Sequence, residues 1–168
     1  ERVARVLGMA KKTGIVNVNT KACLSKGLKG VRLTGVKALK NAGAVAISDD
    51  GNPVPGNKLM NNALKAGKLF NIPVSPHCEE SKFYRDQKKL ASKKKKPSRY
   101  FLGTSRFAEK PYCLEADFIK RDIELAKKTG AKLHISHVSL AESVKLIANA
   151  KNDGVNITAE AAPHHLLL

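Results

Sequence analysis

The fold is decided by the stretch Gly43-Ala44-Val45-Ala46-Ile47-Ser48-Asp49-Asp50-Gly51, in which a short apolar run ends at two carboxylates. Two later stretches have the same organisation. The run at 72–76 is followed by His77, and the run at 133–136 is followed by His137. Metal-binding residue types at the ends of several buried strands are typical of parallel α/β proteins, which build their active sites at that edge.

Helix-like stretches alternate with these strands and end at residues such as Gly43, Asn71 and Gly130. Such alternation predicts parallel strands that are neighbours in chain order, with right-handed crossovers. We expect a capping box, Ser139-x-x-Glu142, to open the last helix. The expected helices are 1–13, 31–42, 57–70, 114–129 and 139–150, and the expected strands are 15–19, 45–48, 72–75, 133–136 and 155–160.

Strand periodicity indicates which side chains face the site, because successive side chains point to opposite faces of a strand. Ser48 and Asp50 share one face, whereas Asp49 lies on the other, so Asp50 rather than Asp49 is expected to point into the site. Ser75 and His77 likewise share a face. This argument does not decide between His134 and His137.

Length, composition and charge narrow the protein class. A chain of 168 residues is one domain by length. No apolar run approaches the ~18 residues of a membrane span. The three cysteines form no C-x-x-C pair, which favours a reducing, cytoplasmic location over a disulfide scaffold. Because no initiator methionine precedes Glu1, we expect that the chain was cut from a longer protein.

A basic segment at 81–112 contributes over half of the net charge of +17. It contains eleven Lys or Arg residues against two acidic ones, a net charge of +9. A block of like charge usually forms a solvated loop, although it could also steer an anionic substrate. Nucleic acid is not the expected partner, because no nucleic-acid-binding motif accompanies the segment. We therefore favour a basic loop or insertion.

Taken together, several motifs resemble those of dihydroorotases of the amidohydrolase superfamily, in particular the type whose two metals are bridged by an aspartate. No single motif is specific, but their order and spacing are. The matching segments are 24–30, 43–51, 77–79, 111–115, 121–122, 134–139 and 158–167.

The resemblance implies that Asp50 bridges the metals and that His77 and His137 are metal ligands, with His134 in a supporting role. It implies Zn²⁺, two ions in a complete enzyme. It also implies a TIM-type (β/α) barrel of which residues 1–168 are the central part, roughly five of eight units. No catalytic residue is assigned within this span, and the substrate-binding residues are unknown. We interpret Cys78 as a buried small residue rather than a ligand.

The implied function is a zinc-dependent cyclic amidohydrolase that interconverts N-carbamoyl-aspartate and dihydroorotate in pyrimidine synthesis. Its substrate is a small anion, and homo-oligomers or association with other pyrimidine-pathway enzymes are compatible with it. One alternative is an allantoinase- or hydantoinase-like relative, but those enzymes usually bridge their metals with a carboxylated lysine, against which Asp50 argues. Another is a non-catalytic scaffold with a basic partner-binding loop. We expect the 168-residue chain to lack residues needed for activity.

Overall fold

The computed structural model describes residues 1–78 and 114–167, so the basic segment predicted at 81–112 lies outside the described residues. Helices and short strands alternate along the described chain. The helices are α1 (Arg2–Thr13), α2 (Val36–Asn41), α3 (Asn57–Leu69), α4 (Leu114–Thr129), α5 (Ala141–Asn152) and α6 (Pro163–Leu167). The strands are β1 (Lys21–Cys23), β2 (Ala46–Ser48), β3 (Leu133–Ile135) and β4 (Ile157–Ala159), and a 3₁₀ turn spans Lys26–Leu28.

The strands are parallel and follow one another in chain order. β1 pairs with β2, and β3 pairs with β4. Val74 joins the two pairs, because it forms a parallel bridge to Ile47 in β2 on one side and to Leu133 in β3 on the other. The prediction of parallel neighbours in chain order is therefore confirmed for the described residues.

One face of these strands is covered by helices. Ile47, Val74 and Leu133 lie side by side and are at most 1% exposed. Helix α3 approaches this layer closely at Gly67, where a Cβ atom would lie only 2.8 Å from the carbonyl oxygen of Ile72 and 2.9 Å from the Cγ2 atom of Val74. Burying each such aliphatic side chain contributes about 1.5–3 kcal/mol, so this layer stabilises the strands.

The predicted strand at 15–19 is wrong, since the first strand is Lys21–Cys23. Ile15 is 98% exposed and Val16 is 72% exposed, so their β-branched side chains do not pack in the core. Ala22 pairs with Ile47 instead. Strand propensity at 15–18 is outweighed by the better burial and pairing available a few residues later.

The helix predicted from residue 31 begins only at Val36. The preceding residues are held in an extended path against the end of β1. Leu33 forms an antiparallel bridge with Ser25, and the N–H of Thr34 donates to the carbonyl oxygen of Leu24 at 2.9 Å. These tertiary hydrogen bonds override the helical pattern of the sequence.

The predicted capping box of Ser139 and Glu142 is also wrong. Helix α5 begins at Ala141, and its N-cap residue, Leu140, makes no side-chain capping bond. The hydroxyl of Ser139 donates to Glu115 on α4 rather than pairing with Glu142. Helices α1, α3 and α4, in contrast, lie within one residue of their predicted bounds. Among the described residues no helix combines the length and apolar character needed to cross a membrane.

Candidate metal centre

Asp50, His77 and His137 come together just beyond the C-terminal ends of β2 and β3 and beyond Val74, the bridge residue between these two strands. Each offers one ligating atom, and these atoms all lie within 4.8 Å of one another. The Nδ1 atom of His77 lies 3.3 Å from the Oδ1 atom of Asp50, and the Nε2 atom of His137 lies 3.5 Å from it. Residues that follow β2, Val74 and β3 therefore converge at one point. Strand periodicity predicts this for Asp50 and His77, whereas the choice of His137 over His134 rests on the family resemblance.

The two consecutive aspartates have different environments. Asp49 is 1% exposed, and its carboxylate accepts hydrogen bonds from the backbone N–H, at 2.8 Å, and the hydroxyl of Ser25. The side chain of Asp50 is 71% exposed and lies beside the histidines. Asp49 thus fixes the strand to the 3₁₀ turn, and Asp50 is the carboxylate available to a ligand.

Backbone contacts and charge keep Asp50 in place and ionised. Its N–H donates to Ser48 Oγ at 3.0 Å, and the N–H of Gly51 donates to its Oδ1 at 3.1 Å. Partial burial alone would raise the pKa of Asp50, but the charges of His77 and His137, a hydrogen bond with His137 and the hydrogen bond from the N–H of Gly51 together bring that pKa below its ordinary value. A carboxylate anion is the form that ligates a cation.

His137 has an unusual backbone, with φ of 43°. This left-handed region disfavours residues with a Cβ atom, although histidine enters it more often than most. The residue that follows is fixed, because the N–H of Val138 donates to the carbonyl oxygen of Glu160 at 2.9 Å. The chain thus turns sharply at His137, after β3, where its ring meets that of His77.

The other histidines belong to different contacts. The Nδ1 atom of His134 lies 2.8 Å from Thr158 Oγ1, and its Nε2 atom lies 3.3 Å from a carboxylate oxygen of Glu160. The rings of His164 and His165 pack edge to face with centroids 4.2 Å apart. None of these three histidines belongs to the cluster of Asp50, His77 and His137.

Lys21, the first residue of β1, is a contact residue of this region that the sequence analysis missed. Its ammonium donates to Ser75 Oγ at 3.0 Å and to Ser136 Oγ at 3.3 Å, and these two hydroxyl oxygens are 3.0 Å apart. Lys21 and Cys23 alternate with the apolar residues Ala22 and Leu24, and this alternation indicates a strand at these positions. The prediction of the first strand at 15–19 obscured that pattern. Lys21 thus connects β1 to the residues that precede His77 and His137.

Cys78 lies behind the centre rather than in it. The side chain is 1% exposed, which agrees with its interpretation as a small buried residue. Burial and the nearby Asp122 raise the pKa of its thiol well above the ordinary value. A thiol that stays protonated is a poor metal ligand, because the thiolate is the ligating form.

The donor set is compatible with a divalent transition metal. One carboxylate oxygen and two imidazole nitrogens are ligands that Zn²⁺ accepts, and three protein ligands leave a position for water or substrate. The ligating atoms are close enough together for a single ion to reach all three with small side-chain adjustments. Within residues 1–78 and 114–167, these three side chains form the candidate ligand set.

A family model described as dihydro-orotase-like matches residues 1–143. The chain belongs to the dihydroorotase-like family. Among curated relatives, this dihydroorotase-like chain is 39% identical over 164 residues to a dihydroorotase of Caldanaerobacter subterraneus subsp. tengcongensis, covering 98% of the chain and 36% of that protein. It is 40% identical over 166 residues to a dihydroorotase of Acetivibrio thermocellus, covering 99% of the chain and 37% of that protein. The chain therefore spans just over a third of the length of these relatives.

Solved structures give the fold of this dihydroorotase-like chain. A D-hydantoinase structure covers the whole chain with a TM-score of 0.70 at 20% identity, and the chain covers 37% of that structure. A dihydropyrimidinase from Brevibacillus agri NCHU1002 covers 97% of the chain with a TM-score of 0.69 at 20% identity, and the chain covers 36% of it. At this identity the likeness shows a shared fold and no more.

Proposed function

We propose that this dihydroorotase-like chain forms the metal-binding centre of a cyclic amidohydrolase that interconverts N-carbamoyl-aspartate and dihydroorotate. The observation that carries the proposal is the convergence of Asp50, His77 and His137 at one point. It is supported by membership of the family and by relatives named dihydroorotase at 39–40% identity. We also propose that the strands are about five of the eight units of a (β/α) barrel.

In this proposal the three side chains hold Zn²⁺, with Asp50 as the ligand shared by two ions in the complete enzyme. The bound metal would polarise the scissile amide carbonyl and make water a stronger nucleophile near neutral pH. His77 and His137 would ligate through neutral imidazole nitrogens. Asp50 would ligate as a carboxylate, a form favoured by its lowered pKa.

A hydantoinase- or dihydropyrimidinase-like activity is the second candidate, because the similar solved structures bear those names. Both reactions open a cyclic amide, so the candidates differ in substrate rather than in chemistry. Asp50 on this strand favours the aspartate-bridged, dihydroorotase type over a type that uses a carboxylated lysine. The two substrates therefore belong in the same assay.

Metal binding is tested directly by titrating the 168-residue chain and its Asp50→Ala, His77→Ala and His137→Ala variants with Zn²⁺. Each variant is expected to lose at least tenfold in affinity, because even supporting residues of metal sites contribute about 10–100-fold. Asp153→Ala is the matched control, since this exposed carboxylate pairs with Lys127 away from the centre. Parent-like affinity in all three ligand variants would contradict the proposed site.

Substrate preference is tested in a chimera in which this chain replaces the matching 166 residues of the Acetivibrio thermocellus dihydroorotase. We expect the chimera to hydrolyse dihydroorotate in preference to dihydrouracil or hydantoin. Asp50→Ala in the chimera should reduce turnover by more than about a hundredfold, because the bridging charge is lost. Equal turnover of hydantoin and dihydroorotate would favour the second candidate.

A further inference from the structure

Helix α4 contacts the segments that follow all three candidate ligands, although it carries none of them itself. We propose that α4 is a positioning element that holds Asp50, His77 and His137 together through Glu115, Arg121 and Asp122. This inference rests on the proposed metal site and extends it to residues outside the ligand set.

Glu115 holds the segment that follows His137. Its carboxylate accepts hydrogen bonds from the backbone N–H of Ser139, at 3.2 and 3.3 Å, and from the N–H of Leu140, at 3.2 Å. The hydroxyl of Ser139 also donates to it. Hydrogen bonds to an ionised carboxylate are stronger than neutral ones. The carboxylate therefore fixes the backbone two residues beyond the left-handed turn at His137.

Arg121 holds the segment that follows Asp50. Its Nη1 atom donates to the carbonyl oxygen of Val54 at 2.8 Å and to that of Pro55 at 3.4 Å. The Val54 side chain is 1% exposed, so this part of the segment is packed into the core as well as hydrogen-bonded. The guanidinium thus fixes the connection between Asp50 and α3.

Asp122 contacts Cys78, the residue that follows His77. Its side chain is fully buried and accepts hydrogen bonds from Arg121 Nε and Nη2, both at 2.8 Å. Its Oδ2 atom lies 3.9 Å from the Sγ atom of Cys78, the residue next to His77. Asp122 therefore neutralises and orients Arg121 while contacting the third segment.

The positions of Glu115 and Asp122 on α4 allow both side chains to contact their segments at the same time. Glu115 and Asp122 are seven residues apart, about two helical turns, and so lie on one face of α4. Since α4 also leads directly into β3, one rigid element links all three ligand segments. Metal affinity depends on such supporting contacts, because ligands displaced by about 1 Å bind poorly.

The first test needs no metal. In the parent chain the rings of His77 and His137, with centroids 4.9 Å apart, should give nuclear Overhauser effects between their ring protons. Glu115→Ala should abolish these signals, whereas Glu115→Gln should keep them, because the amide retains an acceptor for the backbone N–H groups. Lys127→Ala removes an exposed ion pair from the same helix and should change nothing. Retention of the ring contact in Glu115→Ala would overturn the proposal.

The second test measures affinity for Co²⁺ by visible absorption. We expect about a tenfold loss in Glu115→Ala and in Arg121→Lys, which keeps the charge but lacks the planar guanidinium needed to reach both Asp122 and Val54. Glu115→Gln and Lys127→Ala should bind Co²⁺ like the parent. A purely structural role would lower the unfolding midpoint without changing the ring contact or the affinity, and that result would also overturn the proposal.

The two proposals fail differently in these experiments. If His77→Ala binds Co²⁺ as tightly as the parent, the metal site itself is wrong. If His77→Ala loses affinity while Glu115→Ala and Arg121→Lys do not, the site stands and the positioning role of α4 is wrong.

Discussion

The Nδ1 atom of His77 lies 3.0 Å from the Nε2 atom of His137, although the two residues are 60 positions apart in the chain. A distance of this size allows a hydrogen bond between the rings when one nitrogen is protonated and the other is not. Asp50 lies beside both nitrogens. A cation at the same place would hold the three side chains together through these same atoms.

Metal binding is therefore expected to release protons and to weaken as the pH falls, because protons compete with the metal for imidazole nitrogen. Calorimetric titrations with Zn²⁺ at about pH 8 and about pH 6 should show lower affinity at the lower pH. Titrations in buffers of different ionisation enthalpy count the protons released. Binding that is independent of both pH and buffer would contradict ligation by the histidines.

Gly67 and Gly8 provide a matched pair of substitutions within helices. Gly67→Ala would place a Cβ atom 2.8 Å from the carbonyl oxygen of Ile72, and we expect a net loss of about 1–2 kcal/mol in the free energy of unfolding because overpacking exceeds the gain in helix propensity. Gly8→Ala meets no atom within 4 Å and should stabilise α1 by up to about 1 kcal/mol. Urea unfolding measures both. Equal changes in the two variants would contradict the close packing of α3 against Val74.

Asp122 should make the stability depend on pH. Burial raises the pKa of Asp122 to about 6 in spite of the neighbouring Arg121. Since this folded-state pKa lies above the ordinary value of 3.8, the folded protein keeps a proton that the unfolded chain has lost. The resulting stabilisation is complete below about pH 4 and is lost as the pH rises through about 6, with a total on the order of 3 kcal/mol.

Asp122→Asn should remove this fall in stability between about pH 4 and about pH 6, even if the variant is less stable at every pH. Asp153→Asn is the control, because that carboxylate is exposed. Chemical unfolding at several pH values gives the difference curve. Parallel curves for the parent and Asp122→Asn would show that the buried carboxyl does not titrate as described.

The 168-residue chain alone is expected not to hydrolyse dihydroorotate, even with added Zn²⁺. It spans 36–37% of the length of its dihydroorotase relatives, and the described residues bring three candidate ligands together. Two metals need more ligands than these three. A spectrophotometric assay with the Acetivibrio thermocellus enzyme as the positive control measures the turnover. A rate near that of the control would show that this chain suffices for catalysis.

Periodicity predicted the orientation of Asp50 and of His77, whereas the choice of His137 over His134 needed the family resemblance. Alternation along a strand depends only on backbone geometry, so it separated Asp50 from Asp49 correctly. Helices α3 and α4 were predicted nearly to the residue because each has a continuous apolar stripe along a long segment. The order of the strands followed from the repeating helix–strand pattern.

The errors arose where contacts distant in sequence decide the local structure. Whether the first strand lies at 15–19 or at Lys21–Cys23 depends on which residues find Ile47 as a neighbour, which one-dimensional periodicity cannot show. Glu142 lies three residues after Ser139 and has a suitable side chain for a capping box. The hydroxyl of Ser139 nevertheless donates to Glu115, which lies 24 residues earlier in the chain. The left-handed backbone of His137 has only a weak signal in residue type, because histidine enters this region more often than most residues but glycine is the usual marker of positive φ.

The backbone conformation at His137 favours a different residue from the one that the proposed metal site needs. At φ of 43° a glycine would relieve strain on the order of 1 kcal/mol, so the histidine is not the residue that folding alone would favour. Most mutations are tolerated only while stability stays above the level a cell needs. If His137 has the proposed metal role, a gene copy freed from the need to bind metal would be expected to exchange this histidine for glycine early.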